Sequence, residues 1–317
     1  MFDVRRLVVL QEVVRCGSLS AAAVSLNYTT SAVSQQITAL ERDVGSTLLV
    51  RSPTGARPTT AGMRLLEHAG TILGAIAAAE RDLQRLSTAQ SGVLRVASFA
   101  SAAATILPRA IARFRVLCPT VDIELVSADP EEGVGLLTNG GVDAAVVTEV
   151  PGEAPEFRSV HSVPVYDDEF LIVLPAGHRL ASLVEVPFAA LAREQWIVST
   201  ETGICPDVRI FQRACRNAGF IPSVTFRTED YSTVQGLVAA KLGVSLVPSL
   251  AAAGARTDVA LRRVAGLRPV RRVAVATIEP HTDGTSLSTF VTLVREAGGR
   301  LSSEAVYSIA ERPFSVA

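Results

Sequence analysis

Ser31, Ser34, Gln35 and Thr38 fall on one side of the segment Thr30 to Glu41 when the chain advances about 100° per residue, and Val33, Ile37 and Leu40 fall on the other. Hydroxyl and amide side chains of this length reach both base edges and phosphate oxygens in a major groove, and Gln suits adenine. An ordinary solvated helix face has the same composition, so its meaning comes from its neighbours. Ser18 is a natural N-cap for Leu19 to Leu26, whose three alanines let another helix approach closely, and Asn27-Tyr28 makes a turn. Arg51 and Arg57 follow around a Pro53-Thr54-Gly55 hairpin. Small-residue helix, turn, polar-faced helix and basic hairpin together form the pattern of a winged helix-turn-helix, whose chemistry is recognition of duplex DNA.

Other reactive constellations are missing from the sequence. It contains no Gly-x-Ser-x-Gly, His-Glu-x-x-His or phosphate-loop string, and His68, His161, His178 and His281 lack metal-ligand spacing. Gly133-Val-Gly135 begins like a dinucleotide fingerprint but continues Leu-Leu-Thr138. Cys16, Cys118, Cys205 and Cys215 form neither Cys-x-x-Cys nor Cys-x-x-His, against both a disulfide scaffold and a zinc site. No catalytic residue, metal or cofactor is expected, and the chain reads as a non-enzyme.

The elements that must position the polar face belong to a chain of 317 residues, long enough for two domains, with 48% hydrophobic and 19% charged residues, a globular balance. Residues 1–65 hold seven arginines against four acids, +3, and the remainder 23 basic against 27 acidic residues, −4, so a basic head precedes an acidic body. The longest uncharged stretch, Cys16 to Leu40, has Ser, Thr, Asn or Gln at 11 of 25 positions, too polar for a membrane span. The start has too short an apolar run for a secretory signal, so a cytoplasmic protein is expected.

Asp3 caps a first helix with Val4, Leu7, Leu10 and Val14 at helical steps, ended by Gly17. Leu65, Ala69, Ile72, Ile76, Ala79, Leu83 and Leu86 form a heptad seam that suits either a pairing helix or one packed on its own core. Ser87 to Gly92 loses the period and marks a hinge. Strands such as Val93 to Ala97, Val142 to Val147 and Glu169 to Leu174 then alternate with helices, predicting a mainly parallel sheet, and two chain crossings predict two lobes with a cleft.

The head resembles the LysR-type transcriptional regulators in Gly17-Ser-Leu-Ser-Ala-Ala, Ala32-Val-Ser34-Gln-Gln-Ile37, Leu40-Glu41, Gly45, Leu48-x-x-Arg51 and Arg57-Pro-Thr59-Thr-Ala-Gly62. Leu49 stands where the family usually has Phe, and Thr30-Ser31 where Gln-Pro is frequent. The body is similar in Gly177-His-Arg-Leu180, Ala218-Gly-Phe220 and Val238 to Pro248, with Lys241 replacing the usual Gly. The resemblance, which covers residues 1 to about 297, implies the following fold class: an N-terminal all-α winged helix-turn-helix with a long linker helix, then a two-lobed α/β effector domain with mainly parallel sheets, like type 2 periplasmic binding proteins. The implied boundaries are 1–60 for the DNA-binding domain, 61–90 for the dimerising linker helix, 91–297 for the effector domain and 298–317 for a tail. Within the effector domain, lobe I covers about 91–164 and 270–297, and lobe II about 165–269.

By the same resemblance Thr29, Thr30, Ser31, Ser34, Gln35 and Gln36 face double-stranded DNA, and Arg51 and Thr59 contact its phosphates. A homodimer or homotetramer is implied, with RNA polymerase a further candidate partner and no membrane. In such a fold ligands sit between the lobes, outside the strand ends, where Ser98, Ser101, Thr148, Thr200, Thr202 and Phe226 fall. Free amides opening the helix after Ser98 lead us to expect an anionic metabolite. Cys205 and Cys215 resemble the redox pair of peroxide-sensing members, making a thiol sensor one alternative. A non-regulatory solute-binding protein or transferase is the alternative of another class.

Overall fold

The computed structural model describes residues 3–52, 55–87, 92–153, 157, 160–198, 206–228, 230–280, 282 and 284–308. The chain divides into two compact units, Met1–Gly92 with Gly135–Asp143, and Val93–Val134 with Ala144–Ala317.

The head is built from α1 (Val4–Cys16), α2 (Leu19–Ser25), α3 (Thr30–Val44), a hairpin of β1 (Leu49–Ser52) and β2 (Gly55–Pro58), and α4 (Thr60–Ser87). Its helix ends follow capping chemistry. The Asp3 carboxylate accepts from the Arg5 amide, the Ser18 hydroxyl from Ala21 and the Thr29 hydroxyl from Ala32, while Gly17 and Gly45 end α1 and α3 at φ 69° and 74°. Leu7, Leu10, Ala22, Ala23, Val33, Ile37, Leu40 and Leu48 form one buried core. Ala22 and Ala23 permit the close crossing of α2 over its neighbours.

Ala69 is buried in this same core, and Leu65 and Ile72 pack against it. The first turns of the heptad seam are therefore used within the head. Ile76 is exposed, and the side chains of Leu83 and Leu86 lie outside the described residues.

After α4 the chain forms β3 (Gly92–Ser98), α5 (Ala100–Thr105), α6 (Leu107–Leu117), β4 (Val121–Ser127), α7 (Pro130–Thr138), whose second half belongs to the smaller unit, and β5 (Ala144–Glu149). A 15-residue strand, β6 (His161–Pro175), follows, then β7 (Glu185–Val186), a 3₁₀ turn at Phe188–Leu191, and β8 (Gln195–Val198). The remainder is α8 (Pro206–Asn217), β9 (Ser223–Arg227), α9 (Tyr231–Ala239), β10 (Ser245–Pro248), β11 (Val259–Val264), β12 (Val270–Thr277) and α10 (Ser286–Ser308). The main sheet has the order β4-β3-β5-β12-β6-β11-β7, with β10 also on β6.

This sheet is mixed rather than mainly parallel. β3/β5, β11/β7 and the separate β8/β9 pair run parallel, but β12 is antiparallel to both β5 and β6, and β10 and β11 are antiparallel to β6. The reason is the long strand. The first part of β6 pairs with β12 and the second part with β10 and β11, so one strand contributes to three cores. One core gathers Leu94, Val96, Phe114, Val146, Val273, Val275, Phe290 and Val294. Phe170, Ile172 and Leu174 face a second core with Trp196 and Phe211, whereas the alternate residues Leu171 and Val173 face a third with Val234 and Val238.

Two backbone details bear on the sequence reading. Helix α10 continues through Gly298-Gly299 to Ser308 instead of stopping near Ala297, and a Cβ at Gly298 would lie 2.6 Å from the Val165 carbonyl oxygen, so glycine allows the close approach to β6. Residues 309–317 lie outside the described residues. Lys241 occupies the left-handed region at φ 62°, which accounts for the glycine it replaces in similar sequences.

Candidate DNA-binding face and effector site

On α3, Val33, Ile37 and Leu40 are buried, which turns Thr30, Ser31, Gln35, Gln36 and Thr38 outward with Thr29 at the cap, while Ser34 is half-buried. The hairpin brings Arg51 onto this face. Its Nη1 donates to Ser34 Oγ at 3.0 Å and its Nη2 to Thr38 Oγ1 at 3.4 Å, with Glu41 Oε2 3.8 Å away. Glu41 Oε1 in turn accepts from the amides of Leu48 and Leu49 at 2.8 and 3.2 Å, fixing the start of the hairpin to α3. Helix face and hairpin arginine thus form one surface of exposed hydroxyl and amide groups with a cation beside them.

Thr59 is bonded within the head. Its hydroxyl donates to the Thr47 carbonyl at 2.7 Å and accepts from the Gly62 amide at 3.0 Å, capping α4. The hydroxyl has one hydrogen, which goes to the Thr47 carbonyl, so in this structure Thr59 positions the hairpin.

In the larger unit Ser101, at the start of α5, meets a cluster the sequence reading did not find. Arg271 on β12 is buried, with its side chain 5% exposed. Its Nε donates to Asp168 Oδ2 at 3.0 Å, its Nη1 to Asp207 Oδ2 at 2.9 Å and its Nη2 to Ser101 Oγ at 3.0 Å. The Phe99 ring lies 5.1 Å from the guanidinium carbon. Asp168 Oδ1 accepts from the Ser249 hydroxyl at 2.7 Å and the Leu250 amide at 3.1 Å, and Tyr231 donates to Asp207 Oδ2 at 2.6 Å. Burial works against the Arg271 charge, but the Asp207 and Asp168 carboxylates more than reverse it and hold its pKa above the ordinary guanidinium value. Five elements, α5, β6, α8, α9 and β12, meet through this cluster.

The other expected effector residues behave differently. Ser98 is buried and donates to the Phe99 carbonyl at 3.2 Å, and Thr148 is buried inside β5 opposite Val273. Phe226 packs into the core of Leu171 and Val234. Thr200 and Thr202 lie outside the described residues. Helix α5 has only six residues, too short for the dipole argument that favoured an anion. Separately, a cavity of ≈ 350 Å³ lies beside α8 and β9, lined among others by Val198, Phe211, Phe220 and Val224, and not by Ser98, Ser101, Thr148 or Phe226.

Cys215 is a buried free thiol whose pKa burial pushes up to about 12, and Cys205 lies outside the described residues. Among the described residues no group of His, Cys, Asp and Glu could hold a metal ion, and no single helix is long and apolar enough to cross a membrane.

Comparison with known proteins agrees with this geometry. The sequence profile described as "Bacterial regulatory helix-turn-helix protein, lysR family" matches residues 4–63, and that of the "LysR substrate binding domain" matches residues 87–299. The "Probable HTH-type transcriptional regulator LrrA" of Synechococcus elongatus is 32% identical over 87% of this chain and 90% of its own. A "Probable hydrogen peroxide-inducible genes activator" of Mycobacterium leprae is 30% identical over 83% of this chain and 84% of its own. The crystal structure of CbnR, a LysR family transcriptional regulator, shares the fold with a TM-score of 0.67 at 22% identity, covering 94% of this chain and 99% of that one.

Proposed function

Because the chain belongs to the LysR family of DNA-binding transcriptional regulators, we propose that α3 reads its operator and that the Arg271 cluster seats its small-molecule effector. The observation that carries the first half is the exposed polar face of α3 with Arg51 set on Ser34 and Thr38. Thr29, Thr30, Ser31, Ser34, Gln35 and Gln36 face double-stranded DNA, and Arg51 supplies a phosphate contact. The DNA-binding domain takes residues 1–60, the linker helix 61–90 and the effector domain 91–297.

Pairing uses the later turns of α4, since the earlier ones serve the head's own core, and a homodimer or homotetramer presents two heads to a two-fold site. RNA polymerase is a further partner. A regulator of bacterial transcription acts in the cytoplasm, and its effector is bound and released without being converted. Ser101, the one expected effector residue bonded to the cluster, joins Asp168, Asp207 and Arg271 in the effector site.

The test is a titration of the full chain with duplexes selected from a random pool, with and without Arg51→Ala and Gln35→Ala. Arg51→Ala weakens binding to all duplexes alike, Gln35→Ala changes the preferred base, and equal affinity for every duplex would overturn the reading.

A further inference from the structure

The Arg271 cluster holds one guanidinium against two carboxylates in a buried setting where Asp168 is 0% and Asp207 7% exposed, so with both carboxylates ionised its net charge is −1, a charge that burial resists by pushing the Asp168 carboxyl up. Its bonding is lopsided as well. Arg271 spends three of its five N–H donors, at Nε, Nη1 and Nη2, on Asp168, Asp207 and Ser101. On Asp207, by contrast, both donors, Arg271 and Tyr231, go to Oδ2, and the buried Oδ1 has no partner among the described residues. The open valence is an acceptor with surplus negative charge.

On the reading that this cluster is the effector site, we propose that the effector presents a cationic, hydrogen-bond-donating nitrogen, an ammonium, amidinium or guanidinium, to Oδ1 of Asp207. Such a group supplies the missing donor and brings the cluster to neutrality, the condition under which buried charges are tolerated. An anion would raise the charge to −2 or would have to expel Asp207 from Arg271. A neutral donor would satisfy Oδ1 but leave the charge. The same occupancy links α8, which carries Asp207, to α5, which carries Ser101, so the ligand bears on both elements that Arg271 joins.

The full-length protein is assayed by thermal shift and calorimetry with agmatine, putrescine, L-arginine and L-lysine as cationic probes, and with succinate, 2-oxoglutarate and benzoate as anions lacking a donor nitrogen. At least one cationic probe is expected to raise the Tm and bind, and Asp207→Asn to weaken that binding tenfold or more, with Ser101→Ala weakening it less. Should Asp207→Asn not fold, the ranking of the two probe classes on the unaltered protein decides. Binding of the anions alone, silence from every cationic probe, or equal affinity in Asp207→Asn overturns the proposal. Anion binding lost in Ser101→Ala would mean the right seat with the wrong charge. Probe binding indifferent to both substitutions would instead place the effector site elsewhere and sink the reading on which the proposal rests.

Discussion

Replacing Arg271 with Met keeps most of the side-chain volume and removes the only cation bonded to Asp168 and Asp207 among the described residues. Four contacts go with it: 3.0 and 2.9 Å to Asp168, 2.9 Å to Asp207 and 3.0 Å to Ser101. What remains is two buried carboxylates without their counter-charge, and removing one partner from a buried pair costs about 3–5 kcal/mol. That is a large share of the roughly 5–15 kcal/mol by which a domain is stable. With a urea dependence of about 2–3 kcal/mol per molar, the midpoint should fall by roughly 1–2.5 M. The protein's single tryptophan, Trp196, is fully buried in the core shared with Phe170 and Phe211, so its fluorescence reports this unit directly. Arg271→Met/Asp207→Asn should recover at least about 1 kcal/mol, because one stranded charge is then neutral. Arg64→Ala, which breaks an exposed pair with Glu67, should cost less than about 1 kcal/mol. A fall for Arg271→Met no larger than that of Arg64→Ala, or no recovery in the double variant, would refute the argument.

Lys241→Gly should stabilise the larger unit by about 0.5–1 kcal/mol, since it relieves a left-handed side chain at the end of α9, and a lowered urea midpoint would contradict this. Asp230→Ala removes the α9 cap, where hydrogen bonds from the Ser232 and Thr233 side chains and amides hold the carboxyl below the ordinary aspartate range. A depressed pKa stabilises the fold above the unfolded value near about 4 and loses that contribution as pH falls, so the deficit of about 1 kcal/mol at neutral pH should shrink on acidification. The Cys215 thiol, pushed up to about 12, should stay unmodified by thiol reagents at pH 8 in the native protein and react only on unfolding, as read by mass spectrometry.

The head was legible because its signals are local. Asp3, Ser18, Gly17 and Gly45 sit at helix ends where capping rules put them, and the α3 pattern splits into buried Val33, Ile37, Leu40 and an exposed polar side. At Thr59 a hydroxyl beside a basic hairpin suits a phosphate and a helix cap equally, and its bond to the Thr47 carbonyl, distant in sequence, was not legible. The sheet misled because strand direction depends on distant partners. Alternating strands and helices suggested parallel pairing, whereas β6 and β12 meet antiparallel across about a hundred residues of chain, as Arg272 paired with Asp167 illustrates. The Arg271 cluster was hidden for the same reason. Its members come from positions 101, 168, 207 and 271, and the one local clue was a pair of arginines inside the largely apolar strand Val270–Thr277.

Anisotropy titration of the full-length protein at fixed salt, on a duplex recovered from a random pool and on scrambled duplexes of the same length, tests the central claim most directly. A regulator that reads its operator with α3 should prefer the recovered duplex by about 10³-fold or more, and Gln35→Ala should change which duplex is preferred. Equal affinity for recovered and scrambled duplexes would contradict the account.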